Sequence, residues 1–257
     1  MRKKTIDYLI SEYKNNNRID VIEELTRRII FGKLNEEQMR KLYFELTDMP
    51  IKQAVIRYSS RETLINLLIE EEYITIRDYI IKKLGNLNSQ EAKILLTNDG
   101  IDLTTRNFAI RYADAITLIE YLKRNGSKIY QPSIFIDRFK VLNINTETAD
   151  TLLSCTDSMM INDFAIEKAS NMALIKFLYE KRELSCGNPT RIYHILMTSD
   201  LTNEEAKFII DNIENESLIC YAIKFASKDD VLSFYLKQTN MGIIEVCLTR
   251  LEELMKE

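Results

Sequence analysis

The sequence predicts an all-α protein built as a single continuous α-solenoid of about four to five helical repeats of 53–57 residues. Three observations carry that prediction. An Ala-Ile phrase recurs four times, a capped helix start recurs four times in step with it, and turn-formers are scarce, with six Gly and three Pro in 257 residues.

The phrase comes first. It reads Val55-Ile56-x-Tyr58-Ser59, Ala109-Ile110-x-Tyr112-Ala113, Ala165-Ile166-x-Lys168-Ala169 and Ala222-Ile223-x-Phe225-Ala226. A short polar step follows each time, and then an apolar pair: Leu64-Ile65, Leu118-Ile119, Leu174-Ile175 or Val231-Leu232. Val21-Ile22 reads as the same pair in an incomplete first copy.

The second landmark is "LNEEQM" at Leu34, "LNSQEA" at Leu87, "INTETA" at Ile144 and "LTNEEA" at Leu201, spaced 53, 57 and 57 residues apart. Asn35, Asn88, Asn145 and Thr202 have short polar side chains suited to accept from the unpaired amides of a helix's first turn. Acidic or amide residues follow within three positions, where they favour the positive end of the helix and can close a capping box. The apolar residue before each cap suits a hydrophobic staple. Each copy therefore announces a helix start.

Between the landmarks lies "TIRDYIIKKL" at Thr75, "PSIFIDRFKVL" at Pro132 and "PTRIYHILM" at Pro189. Proline is tolerated at the first helical position, where its missing N–H would be unpaired anyway. A unit thus holds three to four helical pieces, which bury their apolar faces only by stacking on neighbours. Residues 1–50 read as a partial first repeat, 51–107, 108–163 and 164–220 as full ones, and 221–257 as a truncated last repeat. No Gly/Ser-rich linker divides the chain, so one array is expected. The pattern of Ala, two residues, an aromatic or apolar position, a small residue, a polar step and a Leu-Ile pair resembles HEAT and armadillo-like helical repeats. Their units usually run to about 40–47 residues. The resemblance implies a scaffold of stacked helices. Because some HEAT-like folds resemble alkylpurine DNA glycosylases, it also implies nucleic-acid binding or repair as an alternative.

Composition narrows the function. The net charge of −4 and the absence of Trp weigh against nucleic acid, which basic surfaces and stacking platforms recognise. Cys155, Cys186, Cys220 and Cys247 form no C-x-x-C pair and read as free thiols in a reducing compartment. Asp7 and Glu12 interrupt the apolar stretch that a signal peptide needs, and no apolar run reaches membrane-spanning length, so a soluble cytoplasmic protein is expected. A single histidine, His194, excludes multi-His metal sites. No Walker A, G-x-S-x-G or G-x-G-x-x-G occurs. No catalytic, metal-binding or cofactor-binding residue is assigned, and no cofactor is expected. The acidic runs Glu70–Glu72, Glu204-Glu205 and Asp229-Asp230 read as helix-end or solvated charge, and Met159-Met160 as core filler, with an exposed contact between helices as the alternative.

Two ladders carry what functional signal there is. Arg57, Arg111, Glu167 and Lys224 are equivalent positions in successive copies, flanked by Tyr58, Tyr112, Lys168 and Phe225. Arg and Tyr are favoured at interface hot spots. The alternative is that the tyrosines pack between repeats while the arginines are merely solvated. Asn66, Glu120, Lys176 and Ser233 form a second ladder whose chemistry changes in every copy, as on a solvent face free for recognition. The expected partner is another protein and not a membrane, with nucleic acid as the less favoured alternative.

Overall fold

A computed structural model describes residues 5–16, 19–125, 129–180 and 185–256. Among the described residues there are eighteen α-helices and no strand. None is long and apolar enough to cross a membrane. The basic residues at positions 2–4 lie outside the described residues. The chain falls into two compact units, Met1–Ala113 and Asp114–Glu257. Their boundary lies at the end of an Ala-Ile phrase, with no Gly/Ser-rich linker.

The N-terminal unit holds α1 (Ile6–Asn16), α2 (Ile19–Ile30), α3 (Glu36–Glu45), α4 (Met49–Tyr58), α5 (Arg61–Glu70), α6 (Ile74–Leu84), α7 (Ser89–Leu96) and α8 (Leu103–Ile110). Helices pack as hairpins, α1 on α2, α3 on α4, α5 on α6 and α7 on α8. Odd helices also pack on the next odd helix and even on the next even, so the hairpins stack as two layers. The C-terminal unit holds α9 (Ala115–Asn125), α10 (Pro132–Leu142), α11 (Thr146–Cys155), α12 (Met159–Ile166), α13 (Asn171–Tyr179), α14 (Pro189–Thr198), α15 (Asn203–Asn212), α16 (Glu216–Ile223), α17 (Lys228–Tyr235) and α18 (Met241–Leu254). It is built by the same solenoid-like stacking, with α9, α11, α13, α15 and α17 in one layer.

The anticipated helix starts fall in place. Asn35, Asn88, Asn145 and Thr202 are the N-caps of α3, α7, α11 and α15, and all but Asn145 close a full capping box. Leu87, Ile144 and Leu201, just before three of these caps, are buried. Pro132 and Pro189 open α10 and α14. Removing the Asn88 side chain as Asn88→Ala should cost about 1 kcal/mol, read as a lower urea midpoint at unchanged slope.

The polar step after each Ala-Ile phrase is a second family of caps. Ser60, Asp114, Ser170 and Ser227 each accept from the amide three residues on, that of Thr63, Thr117, Ala173 and Asp230. Every odd helix from α3 to α17 thus begins on a side-chain cap. The 53–57-residue period therefore contains four helices in two hairpins. Helix order also moves the first apolar pair. Val21 and Ile22 lie in α2, directly before capped α3, whereas the other pairs lie two helices ahead of the next cap. Leu9-Ile10 in α1, buried and 55 residues before Leu64, occupies that place.

Neighbouring hairpins are also stitched at their ends. Arg61 at the start of α5 grips Glu91 of α7 with two bonds of 2.9 and 2.8 Å and donates to Leu84 O and Asn86 O. That bond to Arg61 holds the Glu91 carboxyl below its ordinary value. At the same turn Tyr112 Oη donates to Gly85 O (3.3 Å), and in later copies Lys168 Nζ donates to Ile144 O (3.4 Å) and Tyr221 Oη to Ser199 O (2.8 Å). These carbonyls follow α6, α10 and α14, whose last turns leave acceptors open. Gly85 supports its turn with φ +71°, and Asn143 plays that part after α10 with φ +45°.

The core is the set of motif residues. Leu64, Ile65, Leu118, Leu174, Ile175 and Val231 are all buried, as are Ala109, Ala165 and Ala222. All four cysteines are free thiols, with Cys186 and Cys247 buried.

A candidate partner-binding groove

Both ladders are exposed in every copy, and two members of the first engage neighbouring side chains. Arg57 lies in the last turn of α4 and Arg111 caps α8 in the N-terminal unit; Glu167 and Lys224 cap α12 and α16 in the C-terminal unit. All four are exposed. Glu167 is bound to Arg191 at 2.9 Å, and the Lys224 ammonium lies 5.4 Å from the centroid of the Tyr221 ring. Of the flanking residues, Tyr58 is exposed, while Tyr112 and Lys168 are half-buried and cap the preceding hairpin. Phe225 packs against Tyr221, whose hydroxyl performs that capping in the last copy. The flanking ladder is therefore largely an inter-hairpin clasp.

The variable ladder lies on odd helices: Asn66 on α5, Glu120 on α9, Lys176 on α13 and Ser233 on α17, all exposed. At Lys176 the surface opens into a groove of about 470 Å³ between α11 and α13. Asp150, Thr151 and Ser154 line it from α11, and Ala173, Lys176 and Glu180 from the α13 side. Leu153 and Phe177, both buried, make its apolar floor. The size lies within the usual range for binding pockets, about 300–1,000 Å³.

Register explains why it opens here. Five residues after each first-family cap stand Arg40, Lys93, Asp150 and Lys207. Arg40 pairs with Glu70 across α3 and α5, and Lys207 with Asp230 across α15 and α17. On the facing side Ala173 replaces Thr63, Thr117 and Asp230, while at the next position of α11 Thr151 replaces Lys41, Ile94 and Phe208, of which Lys41 and Phe208 reach back to the preceding odd helix. The long cation that crosses to the next odd helix in α3 and α15 is gone, and Ala173 stands small beside its place. Asp150 instead accepts from Ser170 N and Ser170 Oγ, both at 2.7 Å.

Charge differs between the units. Residues 1–113 carry 19 Lys and Arg against 17 Asp and Glu, whereas 114–257 carry 16 against 22. The groove therefore sits in an acidic unit. A smaller hollow of about 390 Å³ between α16 and α18 is lined by Lys224, Arg250, Glu245 and Glu253, with Arg250 bound to Glu253 at 3.2 Å. Among the described residues no cluster of His, Cys, Asp and Glu could hold a metal ion.

Two features had no place in the sequence reading. The groove appears only when the cap registers are aligned copy against copy. The other is Glu71, the middle residue of an acidic run, which is buried and accepts from Tyr43 Oη and from Tyr73 N (2.9 Å). Lys52 Nζ lies 4.7 Å from the Tyr43 ring centroid. Met159 and Met160 are each half exposed, not core filler.

No protein-family model matches this chain, and neither the curated proteins nor the solved structures yield a match.

Proposed function

We propose that this protein is a non-enzymatic, protein-binding helical-repeat scaffold, a HEAT- or armadillo-like α-solenoid of four to five repeats that acts as an adaptor, inhibitor or immunity-type factor. The observation that carries this reading is the groove between α11 and α13, a break in the repeat at a position that bridges to the next odd helix in α3 and α15. A repeat needs like residues at packing positions, so small residues at this one serve something other than stacking. The nucleic-acid alternative draws on Arg57 and Arg111, exposed in the N-terminal unit. Asp150 and Glu180 in the groove oppose a phosphate backbone, and phosphate binding would reveal itself by a steep salt slope.

Affinity capture from the native cell tests the reading. Thr151 lines the groove, and Thr151→Phe adds a bulky ring at a helix position where α15 already carries Phe208, so the variant should fold and lose the captured protein. Reversing Arg57, Arg111 and Lys224 together to Glu should leave helicity, melting and capture intact, each exposed change staying within about 0.5 kcal/mol. Capture unaffected by Thr151→Phe but lost with the triple change would move the interface to the basic ladder.

A further inference from the structure

We propose that the α11–α13 groove receives an arginine side chain from a basic segment of the partner, supplying from outside the cation that neighbouring repeats supply from within. The proposal rests on the protein-binding reading above and adds the chemistry of what is bound. In α3 and α15 a long basic side chain crosses to an acidic residue of the next odd helix, Arg40 to Glu70 and Lys207 to Asp230. In α11 the equivalent residue is Asp150, of opposite charge, while Glu180 keeps the place of Glu70, ten residues after the second-family cap. The groove is thus the imprint of a missing basic side chain with carboxylates at its rim.

The fit is chemical as well as positional. Each Asp150 oxygen accepts one bond from Ser170 and retains a second lone-pair direction for an N–H. The planar fork of a guanidinium matches a carboxylate better than an ammonium does. Thr151 and Ser154 donate their hydroxyls to carbonyls of their own helix, which turns their remaining lone pairs to acceptor duty. Leu153, Ala173 and Phe177 offer apolar surface along which an arginine stem lies while its head stays polar. The excess of acidic residues in this unit steers a basic segment toward it. Lys176 alone opposes a cation; it is exposed, on a stem long enough to turn outward.

The test titrates the full chain, with backbone amides followed by NMR, against Nα-acetylarginine amide and against its neutral citrulline counterpart. Saturable shifts confined to Thr151, Ser154 and Ala173, with affinity on the order of millimolar for so small a probe, are expected for the arginine compound. Citrulline should bind at least tenfold more weakly. Thr151→Phe should abolish the shifts, and Lys176→Ala should tighten binding severalfold by removing the opposing charge. Scattered or non-saturating shifts, or equal binding of citrulline, overturn the proposal. If capture depends on the groove while the arginine probe fails, partner binding stands and the assigned occupant falls. Self-association in sedimentation that disappears in Thr151→Phe, without arginine binding, would assign the groove to a second copy of the chain and likewise overturn it.

Discussion

Phe139→Ala lowers the stability of the Asp114–Glu257 unit by about 3–5 kcal/mol. Phe139 is fully buried on α10, and its ring lies stacked on Phe164 of α12 with centroids 6.4 Å apart. Truncation removes apolar area from the even layer and leaves a hole that neither α10 nor α12 can close without losing its own hairpin contacts. Leu118→Ala and Leu174→Ala, each removing a fully buried motif leucine, should cost about 2–5 kcal/mol. Urea unfolding at constant slope measures all three. A loss under about 1 kcal/mol for Phe139→Ala would mean that the layer repacks freely and that its hairpins are not held by a specific core.

Tyr43→Phe is the second large effect, at about 3 kcal/mol. The change keeps the ring but removes the hydroxyl that Glu71 accepts from, and an unsatisfied buried polar group costs about 1–3 kcal/mol, more when charged. The pair also has a pH signature. Burial first, then the hydrogen bond to Glu71 and its charge, push the Tyr43 hydroxyl well above the ordinary tyrosine range. A group whose pKa is raised by folding contributes stability that is complete below its unfolded pKa and is lost as pH rises above it. Above about pH 10, wild type should lose up to about 1.4 kcal/mol per pH unit relative to Tyr43→Phe. Melting both proteins between pH 7 and 11 checks this: parallel curves would exclude Tyr43 as the source of alkaline lability.

The repeat was legible because capping is local chemistry. Asn35, Asn88, Asn145 and Thr202 need only their own next three residues to specify a helix start, and all four do so. The halving of the period was harder to see. Ser60, Asp114, Ser170 and Ser227 vary in type and carry no common acidic residue at the third position, so their shared role emerges only from hydrogen bonds. The first apolar pair went to Val21-Ile22 because both α1 and α2 present buried aliphatics, and periodicity within one helix does not reveal which layer it joins. The ladders were readable as exposed positions. That Tyr112 and Lys168 spend their polar ends on carbonyls of the preceding hairpin depends on distances between segments about 25 residues apart. The groove escaped notice because it consists of side chains that are too small, and absence of bulk registers only against a three-dimensional neighbour.

The alternation of two cap families restricts how such a chain can change length. Excising residues 145–201 from the C-terminal unit would bring Thr202, a first-family cap, directly after Ile144, where Asn145 now stands. The new junction would repeat an existing one, with a buried aliphatic ahead of a capping box. Excising a single hairpin, 145–169, would instead place Ser170 after Ile144 and set two helices of the Leu-Ile kind against each other, both presenting faces shaped for the other kind. Insertion and loss are therefore quantised in pairs of hairpins, and a duplication tolerated by this architecture arrives as a block of about 56 residues or meets a mismatched seam.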